Sequence, residues 1–312
     1  MNKQIEHNVS VYLPQTLSEE LSVHECFIKY KDKVTQNQLS KSWQSLFCDE
    51  IGYSKEDLPW NHLRASQFDI SPEYKTLVCC DPVIMQMTHR GAYLWGQQQI
   101  TFSKEEAIRI VAQINQQLMS DNECFYLLNN SQWLYANKNA LKLNQQSFEE
   151  YIGKDMFGFS YQGRDGSYWQ KLATEIQMLI KQMMDYQDLP SVAPETLVNV
   201  FFWGDSDSYV SGEIEVKDVK IYTSDELVEK FCLDSNLTYD NIEQFLIGTN
   251  SNNSKRTIIL DSKKVISDEL LTKVFALYES GSCGSLKITT QDKQFEMTKQ
   301  RSLWQKLRNL LD

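Results

Sequence analysis

The sequence predicts an α/β fold, with a mixed central sheet, helices packed on it, and a smaller C-terminal α/β part. Three observations carry this expectation. Helical and strand periodicities alternate along the 312 residues, which favours layered packing. Leu197 to Trp203 is a near-continuous apolar run closed by Gly204, the pattern of a strand buried on both faces. Ser103 to Met119 and Tyr168 to Met184 each carry one apolar stripe at helical spacing, and such a stripe must be covered by another layer.

Val9 to Leu13 alternates and reads as a first strand ended by Pro14. Leu17 to Tyr30 and Leu39 to Ile51 carry helical spacing. Lys75 to Cys79, Val83 to Met87 and Ala92 to Trp95 read as strands, with His89-Arg90-Gly91 as a hairpin turn. Ser103 and Glu106 form an S-x-x-E capping box, so a helix starts there. A hairpin, Cys124 to Leu128 with Gln132 to Ala136, turns at Asn129-Asn130-Ser131. The second long helix follows Gly163-Arg164-Asp165-Gly166 and ends before the turn-rich Pro190 to Pro194. After the apolar strand come a strand (Val216 to Tyr222), two helices (Ser224 to Cys232 and Asn241 to Ile247) and a strand (Thr257 to Leu260). A helix (Ser267 to Tyr278), a hairpin (Leu286 to Met297) and a final helix complete the chain. Residues 1–208 are expected to form the main domain and 209–312 the smaller part, with a polar loop or linker at 248–255.

Composition narrows the function classes. With 42 acidic and 31 basic side chains the net charge is −11, which repels a phosphate backbone, so no nucleic-acid partner is expected. Seven cysteines, an odd number with no CxxC pair, read as reduced thiols of a cytosolic protein. Met1 to Ser10 is polar, so no secretory signal is expected. No stretch approaches 18 apolar residues, so no membrane span is expected either.

Tyr12-Leu13-Pro14, Leu58-Pro59-Trp60, Asp81-Pro82-Val83, Trp133-Leu134-Tyr135, Gly153-Lys154-Asp155, Glu175 to Leu179 and Asn199 to Gly204 form an ordered series of landmarks. In that order they make Val9 to Asp205 resemble the bacterial RpfE-type regulatory protein family, often labelled phosphoglycerate-mutase-like. A more remote similarity is to the archaeal type of cofactor-independent phosphoglycerate mutase. That resemblance implies a two-metal site, a serine nucleophile and phosphate-gripping arginines. Here Trp203 stands where such mutases carry arginine, and Lys181 to Pro190 has neither histidine nor arginine. The four histidines, His7, His24, His62 and His89, form no ligand-spaced pair. Mutase activity is therefore not carried over, and no catalytic residue is assigned.

Other residues invite a functional reading beside a structural one. Asp205-Ser206-Asp207 follows the buried strand, and a D-x-D there could hold Mg²⁺ or Mn²⁺ through hard oxygen ligands, yet it is also ordinary turn composition. Asp81 precedes Pro82 between two expected strands, where an Asx-type turn is favoured over a ligand role. Glu175 lies near the edge of its helix's apolar stripe, where burial would demand a partner. Asn199 sits in the apolar strand. His89-Arg90 reads as a solvated hairpin tip, His62 has no indicated partner, and Cys79-Cys80 places one thiol on each face of a strand. Leu303, Trp304, Leu307, Leu310 and Leu311 form a stripe that closes its own domain's core, in preference to an acidic partner or a membrane surface.

The leading expectation is a non-catalytic regulatory or protein-interaction protein, cytosolic, with an unidentified protein partner and no cofactor. The alternative is an enzyme or sensor acting on a small phosphorylated ligand or nucleotide-sugar. In that case Asp81, Glu175, Asn199, Asp205 and Asp207 line the cleft, and Asp205 with Asp207 holds Mg²⁺ or Mn²⁺.

Overall fold

The structure is a computed structural model that describes residues 7–14, 18–22, 25–39, 41–55, 57–89, 91–96, 102–186, 189–193, 196–206, 219–247, 256–261, 267–290 and 293–298. In chain order the elements are β1 (Asn8–Leu13), α1 (Ser18–Ser22), α2 (Glu25–Ile28), β2 (Thr35–Gln38), α3 (Trp43–Ile51), α4 (Trp60–Ala65), β3 (Thr76–Thr88) and β4 (Gly91–Gly96). Next come α5 (Lys104–Gln117), β5 (Glu123–Asn129), β6 (Gln132–Asn137), β7 (Asn144–Gln145), α6 (Gly166–Asp185) and β8 (Leu197–Asp205). The chain continues through β9 (Val219–Thr223), α7 (Glu226–Asp234), β10 (Thr238–Asn241), α8 (Ile242–Ile247), β11 (Arg256–Leu260), α9 (Asp268–Ser280), β12 (Ser285–Thr290) and β13 (Lys293–Thr298). The mixed α/β class is as the sequence predicts. No described helix is long and apolar enough to cross a membrane.

Two compact units divide the chain. One is discontinuous, Met1–Leu58 with Gly212–Asp312, and the other is the insertion Pro59–Ser211. The first 58 residues group with the C-terminal part, and not with the residues up to 208 beside which the sequence sets them. The reason is non-local pairing. β1 runs parallel to both β11 and β12, with Val11 opposite Ile259 on one side and Ile288 on the other. Parallel partners need a long crossover, so no local pattern announces them.

In the discontinuous unit the described strands form the order β10-β9-β11-β1-β12-β13-β2. The first five run parallel, and β13 and β2 finish the sheet antiparallel. Val9, Val11 and Leu13 of β1 join the core made with Phe245 of α8 and Leu270, Val274 and Phe275 of α9. Ser10 and Tyr12, on the alternate face, donate to the two carboxylate oxygens of Glu50 on α3, at 2.5 and 2.7 Å. Both faces of β1 are thus covered, as a central parallel strand requires. The helix expected at Leu39 to Ile51 begins only at Trp43, because Ser42 accepts from Ser45 N and caps it, while Thr35–Gln38 pairs with β13 as β2. The loop or linker expected at 248–255 and the C-terminal stripe from Leu303 lie outside the described residues.

The inserted unit is antiparallel, in the order β5-β6-β3-β8-β7 with β4 also on β3. One face carries α5 and α6. Val78, Cys80, Trp133, Tyr135, Val200 and Phe202 meet Ile110, Ile114, Trp169, Leu172, Ile176 and Ile180 there. The expected bend at Asp81-Pro82 is not a turn: both residues lie inside the 13-residue strand β3. Pro82 is tolerated because it falls in a gap. β6 pairs with Thr76 to Cys80 and β4 with Ile84 to Thr88, so on that side no ladder bond is lost to the missing N–H.

The Gly163-Arg164-Asp165-Gly166 run is explained by close packing. Gly163 has φ +114°, and a Cβ there would stand 2.8 Å from the Lys142 carbonyl oxygen. At Gly166 a Cβ would run into the Tyr161 carbonyl oxygen. These glycines let the chain turn tightly into α6.

The capping box forms as predicted, and one of its members does more. Glu106 is buried; its Oε2 accepts from Ser103 N at 2.7 Å and its Oε1 from Ser191 N at 2.9 Å, which ties the segment after α6 to the start of α5. Glu106→Ala is expected to cost about 2 kcal/mol, since a cap and a second charge-assisted bond go together. Urea unfolding of the full chain checks this, and a loss below about 0.5 kcal/mol would show the tie to be idle.

Candidate functional site

The polar centre of the inserted unit is built on the other face of its sheet. Alternation along β3 sends Val78 and Cys80 to the helical core and Asp81 to the opposite face, where α4 lies. Trp60 and Arg64 of α4 are four residues apart, hence on one helix face, and both are buried. Asn61 Nδ2 donates to Leu77 O at 2.9 Å and fixes α4 against the strand.

Arg64 then forks onto Asp81. Its Nη1 donates to Oδ1 at 2.6 Å and its Nη2 to Oδ2 at 2.9 Å. Nη1 also donates to the Trp133 carbonyl oxygen at 2.7 Å. Two further donors complete the carboxylate: Trp133 N to Oδ1 at 3.1 Å and Trp203 Nε1 to Oδ2 at 2.8 Å. The guanidinium carbon stands 5.2 Å from the centre of the Trp203 ring. Asp81 is 1 % exposed and Arg64 2 %, so each oxygen of a fully buried carboxylate holds two donors. Burial is the strongest single influence and opposes the guanidinium's charge, but the charge and hydrogen bonds of Asp81, with Cys79 and Cys80 nearby, together raise the Arg64 pKa. The arrangement suits a fold-fixing ion pair: it is bidentate and its carboxylate is fully satisfied, while Arg64 Nε is buried with no hydrogen-bond partner.

Two titratable neighbours complete this face. Burial pushes the Cys79 thiol up to about 12, Arg64 partly offsetting it and Asp81 adding to it, so this thiol stays protonated and unreactive at neutral pH. Glu149 lies on a one-turn 3₁₀ helix, Phe148–Tyr151. The residue is only partly buried, but its Oε2 is buried with no hydrogen-bond partner. Burial raises its carboxyl to about 7; bonds to Ser147 and to its own backbone lower it, Asp81's charge raises it, and Arg64 lowers it.

The structure brings Asp81 and Asn199 to one sheet face and leaves Glu175 apart. Val83 is opposite Asn199 on β8 as Asp81 is opposite Phe201, so the two share a face by alternation. Asn199 Oδ1 accepts from Val200 N at 2.8 Å. Glu175 belongs to α6, whose Leu172 and Ile176 pack on the other face, and it stands 3.7 Å from Lys171 on the helix exterior. Asp205 ends β8 opposite Asn144; its side chain, and all of Asp207, lie outside the described residues. Among the described residues, no group of three or more His, Cys, Asp or Glu is placed to hold a metal ion. His62 is half-buried on α4, His89 is exposed, and Arg90 lies outside the described residues.

Sequence reasoning missed Arg64. A signal was present: an arginine four residues from Trp60 on a short helix is on its apolar face, and a buried arginine requires a buried acid. Glu149 had no such signal, since nothing in Phe148-Glu149-Glu150-Tyr151 separates the buried acid from the other.

No protein-family model and no curated protein matches the chain. Among solved structures, the cofactor-independent phosphoglycerate mutase of Thermoplasma acidophilum DSM 1728 aligns with a TM-score of 0.37 at 10% identity, over 96% of this chain and 91% of that one. The PH0037 protein of Pyrococcus horikoshii aligns with a TM-score of 0.39 at 9% identity, over 94% of this chain and 87% of that one. Both are weak likenesses of overall α/β architecture, and the RpfE-type family is not shown by them.

Proposed function

We propose that this chain is a non-catalytic regulatory or protein-interaction protein of the cytosol. The observation that supports the reading is the closed state of the Asp81 node. A carboxylate and an arginine fork are the groups a phosphate or cation site would use, and here both oxygens of the carboxylate and both terminal nitrogens of the fork are already bonded. Freeing either for a ligand would leave its partner charged and buried, at a cost of about 3–5 kcal/mol. Of the other candidates whose side chains are described, Asn199 shares the sheet face of Asp81 but bonds to its own strand, and Glu175 faces outward with Lys171.

A thermal-shift panel of phosphosugars, nucleotides, Mg²⁺ and Mn²⁺ tests this. The expected response is flat. A ligand at a hundred times its Kd stabilises a folded protein by about 2.7 kcal/mol, which moves the midpoint by roughly 5 °C or more. Such a shift with any panel member would sink the interaction reading in favour of a small-ligand enzyme or sensor, with Asp205 and Asp207 as the first residues to mutate.

A further inference from the structure

The segment 147–158 is fastened onto β4 at a few points. Gly153 N donates to Leu94 O at 2.8 Å, Met156 N to Ala92 O at 2.6 Å, and Leu94 N to Lys154 O at 3.3 Å. The Tyr151 hydroxyl accepts from Gln145 Nε2 at 2.6 Å, and its ring stands 5.4 Å from those of Phe159 and Phe201. Gly153, at φ +73°, joins the 3₁₀ turn Phe148–Tyr151 to the stretch bonded to β4, and Gly158, at φ +78°, ends that stretch. Neither has an atom within 4 Å of where a Cβ would stand, so both have room to pivot. The stretch between them is mostly exposed, Phe157 at 87 %. The turn behind it carries a group at odds with closure: Glu149 Oε2 is buried where no donor meets it.

We propose that 147–158 is a pH-operated strap: ionisation of Glu149 lifts the turn Phe148–Tyr151 from the sheet and undoes the bonds to β4, while the rest of the inserted unit stays folded. A neutral acid tolerates this setting, because one oxygen has Ser147 and the other carries the proton. A carboxylate there lacks a donor on Oε2 and has to reach water instead. The groups that face it supply none. From β3 come Asp81, of like charge, and the protonated Cys79. From α4 comes Arg64, whose terminal nitrogens are taken by Asp81 and Trp133 and whose Nε, like Glu149 Oε2, is buried without a partner, so the two do not bond each other. Burial is the largest influence on the Glu149 carboxyl and lifts it to about 7, with Asp81 raising and Arg64 lowering it. In the open form the acid regains its ordinary 4.5, so the open fraction rises about tenfold per pH unit between 4.5 and about 7 and levels off above.

Hydrogen exchange of the full chain at pH 5 and pH 8, with each amide rate divided by its intrinsic rate, tests the strap. The Leu94, Gly153 and Met156 N–H groups are expected to lose about tenfold or more of their protection at pH 8. Glu149→Gln is expected to keep protection level between the two, and Glu150→Gln, on the same turn, to retain the native drop. Urea up to about 1 M separates local from global opening, since only global unfolding exposes much surface. Strap exchange at pH 8 is expected to ignore it. Protection that does not change with pH, or a drop that survives in Glu149→Gln, would overturn the proposal. So would strap exchange that quickens with urea, which would mean loosening of the whole unit. The strap rests on nothing in the interaction reading, which the thermal-shift panel decides separately.

Discussion

Asp81→Ala is expected to destabilise the inserted unit by about 3–5 kcal/mol. The variant leaves the Arg64 guanidinium buried with only the Trp133 carbonyl oxygen as partner, and it strips the Trp133 N–H and the Trp203 indole N–H of their acceptor. Each is a buried donor, and an orphaned buried donor forfeits its full hydration. Arg64→Ala should cost a similar amount, because it strands the carboxylate. Removing both together, as Arg64→Met with Asp81→Leu, should cost clearly less than either alone, since no charge is then buried. Urea unfolding followed by tryptophan fluorescence measures all three. Additive losses in the double variant, or a loss under about 1 kcal/mol for Asp81→Ala, would show that the node does not hold the fold.

Glu149→Gln should stabilise the protein in weakly alkaline solution and flatten its dependence on pH. Burial raises this carboxyl from its ordinary 4.5 to about 7 in the folded chain, so the folded state binds the proton more tightly than the unfolded one. The stability that comes from that proton is therefore complete below about 4.5 and is lost as pH rises through about 7. The shift corresponds to about 2–3 kcal/mol, the lower figure allowing for the residue's partial exposure. Glutamine keeps the shape of the protonated acid and cannot ionise. Unfolding midpoints at pH 4.5, 6, 7 and 8.5 should fall for the native chain and stay closer to level for Glu149→Gln, with the gap widest at 8.5. Parallel profiles would mean that Glu149 reaches water or a partner when charged.

These two residues also mark how far the sequence could be read. Local elements were legible where one segment contains its own explanation. The capping box at Ser103 and Glu106, the stripe of α6 and the apolar run of β8 all appear in place. Asp81 reads in the sequence as a turn beside proline or a ligand group. Its actual setting depends on where β6 stops and β4 begins along β3, a fact of tertiary pairing. The candidate site suffered most for the same reason. Asp81, Asn199 and Glu175 look equivalent as polar residues near apolar runs, and only the sheet decides that two share a face while the third sits on the far layer.

The pairing of β1 also bears on the order in which this chain can be made. Asn8–Leu13 leaves the ribosome well before its neighbours Arg256–Leu260 and Ser285–Thr290, which follow more than 240 residues later. At about 5–20 residues per second, β1 waits roughly 15–55 seconds for its second partner. During that interval this strand, with Val9, Val11, Tyr12 and Leu13 on it, has no sheet to enter, while Pro59–Ser211, contiguous in sequence, holds every described strand of its own sheet once residue 211 is made. Nascent chains halted before residue 256 should therefore carry a protease-resistant insertion behind an N-terminal segment that chaperones recognise and proteases cut.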